Sequence, residues 1–369
     1  MRDITFWIAR QVFGVTDLND AGSGGEPLFF WVQAFWLLIA AVIATAIWTV
    51  LDKRRSQYAT LHEWFRLFVR FALAGAMFEY GMTKVIPTQF PPPSLETLVT
   101  PAGDLTLSAL LWTSIGAAPA YEIFTGCIEV LGGILLILPR TTTLGALISM
   151  AAMLQVFVLN MTYDIGLKLV SFHLIVLAAF LLAPEIRRLV DFFVRNRPVA
   201  ASTELAASRA VFAAQILFGV YLLGMYAYIN VNFWKVAGSG SPRSAFYGIW
   251  NVEMLLVNGE SIPSELQDYD RRWRRVIFDN PDKVTFQRTD DSFARYGASI
   301  DSAGRTLAIT KSGSKNWKAN FNVERQSTDR LVLEGEMDGL KIRTQLRLVE
   351  FDTLRLLNSR FRWVRPHEQ

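Results

Sequence analysis

The chain has 369 residues, of which 51% are hydrophobic and 19% charged, and its formal net charge is +4. One cysteine (Cys127) and three histidines exclude a disulfide framework, a bis-histidine haem site, an iron–sulfur cluster and a histidine-rich zinc site. No glycine-rich phosphate-binding loop is present.

The N-terminal segment, residues 1–27, contains a short apolar stretch from Ile4 to Val15 that Arg10 interrupts. This pattern predicts an amphipathic helix lying at a membrane interface rather than a cleaved signal peptide.

Residues 28–237 contain several apolar runs. Each has a length close to the roughly 20 residues that a membrane-spanning helix requires. We predict six transmembrane helices, over residues 28–50, 64–86, 119–138, 143–163, 166–184 and 208–231. Leu105–Gly116 is apolar but too short to span, so it predicts a re-entrant or interfacial helix.

Basic residues in the connections orient these helices by the positive-inside rule. They follow the first, third and fifth spans: Lys53, Arg54, Arg55, Arg140, Arg187, Arg188, Arg195 and Arg197. We therefore expect a multi-pass protein of the bacterial inner membrane, with both termini and everything after Lys235 outside the cytoplasm. Nucleic acid is not an expected partner on that side.

Residues 238–244 form a Gly/Ser-rich linker, after which residues 245–369 show strand-like alternation. Strands are predicted near residues 248–257, 274–279, 283–288, 306–310, 317–323, 331–336 and 341–348. Some eight or nine short strands separated by turn signals favour a small antiparallel barrel over a sandwich. Such a barrel is either filled by side chains or holds one small ligand.

Two local motifs stand out in this second domain. Gly248-Ile249-Trp250 resembles the Gly-x-Trp signature of lipocalin-type barrels, a family in which the tryptophan packs across the closed end; another small β fold is the alternative. The run Arg271–Arg275 places four arginines around Trp273, which predicts either a solvated strand edge or contact with lipid headgroups.

Ionisable residues lie inside the predicted spans, where a charge costs about 2.5–3.5 kcal/mol at mid-helix and therefore needs a partner. Arg70 and Glu129 are predicted to form a structural ion pair between neighbouring antiparallel helices. A second group lies in the outer half of the bilayer or at its rim: Glu79, Tyr80, Lys84, Glu122, Tyr163, Asp164, Lys168 and His173. We expect this group to enclose one polar pocket opening toward the barrel and to take an uncharged amphiphile.

His173, with Glu79 or Glu122, is the candidate for proton transfer, because small shifts move histidine across neutral pH. The alternative is that His173 only hydrogen-bonds a neighbouring backbone group or Tyr163. No metal site is predicted.

The stretch from Arg66 to Arg188 resembles the DoxX family of bacterial four-helix membrane proteins. The resemblance rests on Arg70-Phe-Ala-Leu-Ala-Gly75, Tyr80-Gly-Met-Thr-Lys84, Glu129-Val-Leu-Gly-Gly133, Pro139-Arg140-Thr-Thr-Thr-Leu-Gly145 and the run from Asn160 to His173. It implies a four-helix core over residues 64–188 within the bundle. The family takes its name from a subunit of a thiosulfate:quinone oxidoreductase, and some members associate with envelope redox-defence complexes.

The predicted fold is thus an α-helical membrane bundle of six transmembrane helices followed by a small antiparallel β-barrel. Three functions follow as hypotheses. The first is an accessory protein whose bundle holds an amphiphile, a quinone or a lipid, beneath the barrel. The second is a structural or scaffold subunit of a larger respiratory or photosynthetic membrane complex. The third is a quinone-linked oxidoreductase.

Overall fold

The computed structural model describes residues 1–16, 18, 26–53, 57–199, 209–238, 240–263, 272–301, 303–313, 317–358 and 364. The chain forms two compact units. The first contains residues 1–90, 107–111 and 118–234, and the second contains residues 91–106, 112–117 and 235–369.

Eleven α-helices lie in the described part of the chain. They are α1 (Arg2–Phe13), α2 (Leu28–Leu51), α3 (Ala59–Val85), α4 (Leu95–Val99), α5 (Leu107–Gly116), α6 (Pro119–Ile137), α7 (Thr142–Thr162), α8 (Lys168–Leu182), α9 (Ile186–Phe193), α10 (Arg209–Ala237) and α11 (Arg355–Asn358). Short 3₁₀ turns lie at Ala102–Asp104, Pro139–Thr141, Ala183–Glu185 and Phe351–Thr353.

Among the described residues, five helical stretches are long and apolar enough to cross a membrane. They are Leu28–Leu51, Pro119–Ile137, Pro139–Thr162, Lys168–Phe193 and Arg209–Ala237. The predicted second span corresponds to α3, which has 27 residues but carries Glu63, Arg66, Arg70, Glu79 and Lys84. These charged residues set α3 apart from the five apolar stretches.

The helical core lies where α3, α6, α7 and α8 pack together, around Leu73, Met77, Leu136, Met153 and Ala178. The axes of α3 and α6 come very close, because a Cβ added at Gly126 would lie 2.7 Å from the carbonyl oxygen of Gly81. Only glycine fits there, as is common where helices must approach closely in an apolar environment.

The N-terminal helix α1 packs on α2 through Phe6 and Phe29, and Trp36 Nε1 donates to Thr5 Oγ1 at 3.0 Å. The central part of α2 is otherwise exposed, with an apolar surface.

Nine strands form one antiparallel sheet among the described residues of the second unit. They are β1 (Gly248–Val257), β2 (Glu260–Ser261), β3 (Trp273–Phe278), β4 (Lys283–Arg288), β5 (Phe293–Ile300), β6 (Thr306–Thr310), β7 (Lys318–Arg325), β8 (Arg330–Met337) and β9 (Leu340–Leu348). From β3 to β9 each strand pairs with the next, and β1 pairs with both β3 and β9, so eight strands close into a barrel. The two-residue β2 only extends β1 as a hairpin. The predicted antiparallel barrel is confirmed.

The barrel interior is filled with apolar side chains, including Trp250, Phe278, Phe286 and Phe321. Trp250 is 2% exposed, and its Nε1 donates to the carbonyl oxygen of Phe246 at 2.9 Å. Gly248 has a φ of 151°, and a Cβ there would collide with the side chain of Leu348. The geometry thus explains why glycine stands two residues before the buried tryptophan.

Residues 91–106, which connect α3 to the helices before α6, pack on the outer surface of the barrel. Leu95 is buried against Ile249 and Ile277, and its backbone N–H donates to Asp279 Oδ2 at 3.1 Å. The predicted domain boundaries placed this segment within the bundle domain, residues 28–237. The structure places it in the barrel unit, because its apolar and polar contacts are with the strands.

The carboxylate of Glu96 is hydrogen-bonded to two of the strands. Its Oε1 accepts from Thr285 Oγ1 at 2.5 Å, and its Oε2 accepts from Arg295 Nε at 2.9 Å. Gln287 Nε2 also donates to the carbonyl oxygen of Val99 at 3.3 Å. Residues 94–99 are therefore fixed to the outer surface of β4 and β5.

Candidate functional site

The charged groups of α3 and α6 meet in a buried ion pair. Lys84 Nζ lies 2.7 Å from Glu129 Oε2, and the two residues are 5% and 2% exposed. The same ammonium donates to the carbonyl oxygen of Tyr80, one turn earlier on α3, at 3.2 Å. Each charge of the pair thus has an opposite charge at hydrogen-bond distance, which is the condition under which such groups are tolerated in an apolar interior.

Glu122 lies on the same face of α6 as Glu129, two helical turns before it, with Gly126 between them. Glu122 is fully buried, and its Oε1 accepts from the backbone N–H of Phe90 at 3.1 Å. Its Oε2 has no hydrogen-bond partner among the described residues. The buried cluster therefore contains two carboxyl groups and one ammonium.

Arg70 makes different contacts from those expected. The predicted ion pair joined Arg70 to Glu129, but in the structure the cation beside Glu129 is Lys84. Arg70 Nη2 donates to Gln215 Oε1 on α10 at 2.5 Å, and Nη1 donates to Thr142 Oγ1 on α7 at 3.5 Å. The physical reason is the direction of the lysine side chain, which runs back toward the start of its helix and carries the ammonium deeper than its own Cα.

The single polar pocket predicted from the sequence required Glu79 and Tyr80 to lie beside Lys84 and Glu122. Their side chains make other contacts in the structure. Glu79 is exposed, and its Oε2 accepts from the hydroxyl of Tyr226 on α10 at 3.3 Å. Tyr80 is partly buried, and its ring centroid lies 6.0 Å from Lys84 Nζ. Glu79 thus lies on a separate surface between α3 and α10.

The remaining predicted site residues cluster around the turn between α7 and α8. Lys168 Nζ lies 2.6 Å from Asp164 Oδ1, and Asp164 is exposed. Tyr163 ends α7, and its backbone N–H donates to the carbonyl oxygen of Leu159. These contacts are local to the turn.

His173 is exposed, and its Nδ1 lies 2.6 Å from the carbonyl oxygen of Leu169, one turn earlier. Ser171, Leu174 and Ala178 lie on the buried face of α8, and His173 does not belong to this face. Across the described residues, no hydrogen bond or ion pair connects His173 to Glu79 or Glu122. The predicted pocket is therefore divided into separate pairs, and the backbone contact, the second interpretation of His173, is the one the structure contains.

Several polar residues that hold the bundle together were not predicted. Asn160 is 5% exposed, and its Nδ2 donates to Ser171 Oγ and to the carbonyl oxygen of Leu167, both at 3.2 Å. Glu26 Oε2 accepts from the backbone N–H of Leu169 at 3.1 Å, which places a carboxylate at the positive end of α8. The only sequence signal for these residues was a polar side chain beside an apolar run.

The arginine cluster of the barrel is not uniform. Arg274 is exposed and pairs with Asp291, and Arg275 donates to Asn251 Oδ1 and Gln287 Oε1. Arg272 is only 4% exposed, and burial lowers the pKa of its guanidinium. The predicted solvated edge thus fits Arg274 but not Arg272, and Arg271 lies outside the described residues.

These features define a protein with several apolar helices of membrane-spanning length, a buried ion pair between two of them, and a closed eight-stranded barrel. No protein-family model and no solved structure matches the chain. The chain is 34% identical to "Uncharacterized protein YwoB" of Bacillus subtilis (strain 168) over 135 residues, which cover 37% of this chain and 82% of that protein. The chain belongs to the same family as YwoB. The name of that protein states no activity.

Proposed function

We propose that this protein is a membrane-anchored accessory subunit, whose helical bundle holds an extracytoplasmic barrel as a docking domain for other subunits of a redox complex. The observation that carries the proposal is the filled interior of the barrel, which leaves its outer surface as the part available to partners. The pairwise contacts of Lys84 with Glu129 and of Lys168 with Asp164 favour a structural role for the charged groups.

The membrane arrangement that accompanies this proposal has six spans, with α3 as the second. Burial of the Lys84–Glu129 pair makes two of the charges of α3 and α6 tolerable at membrane depth. Residues 91–106 belong to the barrel unit, which supports one common side for the α3–α6 connection and the C-terminal domain. The basic connections remain the basis for assigning that side as extracytoplasmic, although Arg54 and Arg55 lie outside the described residues.

The topology is tested with reporter fusions after Arg140, Arg197 and Gln369. The first two fusions should report the cytoplasm, and the third should report the extracytoplasmic side. A cytoplasmic signal after Gln369 would refute the assigned compartment of the barrel.

The accessory role is tested by extracting the protein at its native expression level in a mild detergent and separating the extract by native electrophoresis. We expect the chain to migrate in an assembly with other membrane proteins. Migration of the whole population as the isolated chain, under conditions that keep known membrane complexes intact, would refute the docking role.

A second candidate function is the holding of an amphiphile, either a quinone or a lipid, by the DoxX-like bundle. The exposed carboxylate of Glu79, hydrogen-bonded to Tyr226, favours it. Glu79 lies six residues before the end of α3, or roughly 9 Å along the helix. A carboxylate facing lipid at that depth requires a polar neighbour.

The amphiphile is sought by extracting the purified protein with organic solvent and analysing the extract by mass spectrometry. A bound quinone or lipid should be lost from Glu79→Gln and from Tyr226→Phe. It should be retained by Glu63→Gln, which changes an exposed carboxylate on the same helix. Equal retention by all three variants would place the molecule elsewhere.

A quinone-linked oxidoreductase is the weakest of the three hypotheses, because His173, Glu79 and Glu122 have separate hydrogen-bond partners.

A further inference from the structure

The segment that follows α8 is a short amphipathic helix, α9 (Ile186–Phe193). Its apolar side chains recur at the spacing of one helical face, and its charged side chains occupy the opposite face. The apolar face contains Ile186, Leu189, Val190 and Phe193, and the charged face contains Arg187, Arg188 and Asp191. This separation is typical of a helix that lies at the boundary between an apolar and a polar medium.

Most of the apolar surface of α9 is left uncovered by the described part of the chain. Leu189 packs against the helical core. Phe192 and Phe193 are 58% and 69% exposed, and Val194, whose backbone N–H still donates to Val190, is 76% exposed. Large apolar side chains exposed side by side indicate an apolar environment outside the chain.

The position of α9 along the chain is that of a membrane surface. Lys168, which pairs with Asp164, begins α8. α8 has 15 residues, and the 3₁₀ turn Ala183–Glu185 has 3. At roughly 1.5 and 2.0 Å per residue, these two elements together extend about 28 Å, close to the roughly 30 Å of hydrocarbon in a bilayer. In the membrane arrangement proposed above, α9 therefore begins at the cytoplasmic surface.

Two of the arginines in this segment have a carboxylate partner and two do not. Arg188 and Arg195 each pair with a carboxylate three or four residues before them. Arg187 and Arg197 are exposed, and the side chain of neither makes an ion pair or a hydrogen bond among the described residues. The structure describes residues 168–199 without a gap, so every carboxylate of this segment is accounted for. Two guanidinium groups are thus available to a negatively charged group outside the segment.

We propose that α9 and its two unpaired arginines form a binding site for anionic phospholipids of the cytoplasmic leaflet. The lipid phosphates accept hydrogen bonds from Arg187 and Arg197, and the acyl chains lie against Phe192 and Phe193. Charge complementarity selects the lipid, because the cytoplasmic leaflet carries a negative surface potential that attracts basic residues next to a membrane span. The proposal rests on the membrane arrangement proposed above and requires neither a partner subunit nor an amphiphile at Glu79.

The test measures binding of phosphatidylglycerol to the purified full-length protein in a non-ionic detergent by native mass spectrometry. Phosphatidylcholine with the same acyl chains serves as the zwitterionic lipid, and inorganic phosphate serves as an anion without acyl chains. The variants are Arg187→Gln, Arg197→Gln, the double glutamine variant and the corresponding double lysine variant. Lys311→Gln is the control, because it removes an exposed cation from the turn after β6.

We expect the original protein to bind phosphatidylglycerol more tightly than phosphatidylcholine. Each single glutamine variant should weaken phosphatidylglycerol binding by about fivefold, the contribution of one arginine beside an anionic surface. The double glutamine variant should lose more than either single variant and should no longer distinguish the two lipids. The double lysine variant should keep most of the affinity, because it keeps both charges. Lys311→Gln should bind within about twofold of the original protein.

Four results would overturn the proposal. Equal affinity of the original protein for the two lipids would leave the exposed apolar face to a protein partner. The others are unchanged affinity of the double glutamine variant, an equal loss in Lys311→Gln, and displacement of phosphatidylglycerol by an equimolar amount of inorganic phosphate. Far-ultraviolet circular dichroism reports whether each variant is folded, and the single variants decide the question if the double glutamine variant is not.

This experiment fails independently of the proposed function. Lipid binding to the purified chain requires no partner subunit and no particular orientation in the cell. A wrong topology would be seen in the reporter fusions, and a wrong accessory role in the native electrophoresis, whatever the lipid titration shows.

Discussion

The buried pair of Lys84 and Glu129 gives the sharpest prediction for the helical unit. The two residues are 5% and 2% exposed, and their charged atoms lie 2.7 Å apart. Removing one member of such a pair leaves the other as an uncompensated buried charge, which typically costs about 3–5 kcal/mol. Replacing both members by apolar residues should recover much of that loss, because neither charge then has to be desolvated.

The perturbations are Lys84→Met, Glu129→Leu and the double variant, measured by thermal unfolding in detergent with far-ultraviolet circular dichroism. For a unit of this size, the single variants should lower the melting temperature by roughly 6–20 °C. Lys84→Met should be the more harmful single change, because it leaves both Glu129 and the fully buried Glu122 without a cation. A double variant no more stable than the worse single variant would refute the pairing.

Three further predictions follow from the packing of the two units. Gly126→Ala should destabilise the helical unit by about 1–3 kcal/mol in the same melting assay because the added Cβ meets the facing backbone, whereas Gly224→Ala, where nothing lies within 4 Å, should not destabilise it. Asp301 caps the start of β6, and the backbone N–H there holds the pKa of its carboxyl below the usual 3.8. The ionised carboxylate of Asp301 therefore stabilises the barrel fully above its unfolded-state pKa of 3.8, and this stabilisation is lost as the pH falls through the lower pKa of the folded state. The melting temperatures of Asp301→Ala and of the original protein should therefore differ near neutral pH and converge in acid. Glu96→Ala should speed amide hydrogen exchange in residues 94–100, whereas Asp104→Ala, which changes an exposed carboxylate in the same segment, should not; equal exchange in both would contradict the role of Glu96.

The sequence predicted those strands whose side chains alternate, because alternation is a direct consequence of one face being buried. Lys341–Leu348 alternates strictly and lies within β9. By contrast, β5 was missed because Phe293–Ile300 contains Ala294, Gly297 and Ala298 and is only partly buried along most of its length. A strand with two half-covered faces carries no alternating signal.

The sequence predicted which residues carry charges inside the bundle. It did not predict that Glu129 pairs with Lys84. The Cα positions alone predict Lys84 at the rim of the bilayer and leave Arg70 as the cation nearest in depth to Glu129. The lysine side chain spans about one helical turn, as its contact with the carbonyl oxygen of Tyr80 demonstrates. The prediction that His173 faces the pocket was wrong for a different reason. A helix that is apolar on all sides, such as α8, does not reveal which of its faces is buried.

The attachment of residues 91–106 to the barrel has a consequence for biosynthesis. Leu95 leaves the ribosome long before Ile277, the strand residue against which it is buried. At about 5–20 residues per second, the 182 residues after Leu95, up to and including Ile277, take roughly 9–36 seconds to synthesise. During that interval the apolar side chain of Leu95 and the carboxylate of Glu96 cannot make their contacts with the strands, because those strands have not yet been synthesised. The strands of the barrel, which are translated after the helical bundle, must therefore find this earlier segment to complete their contacts with it.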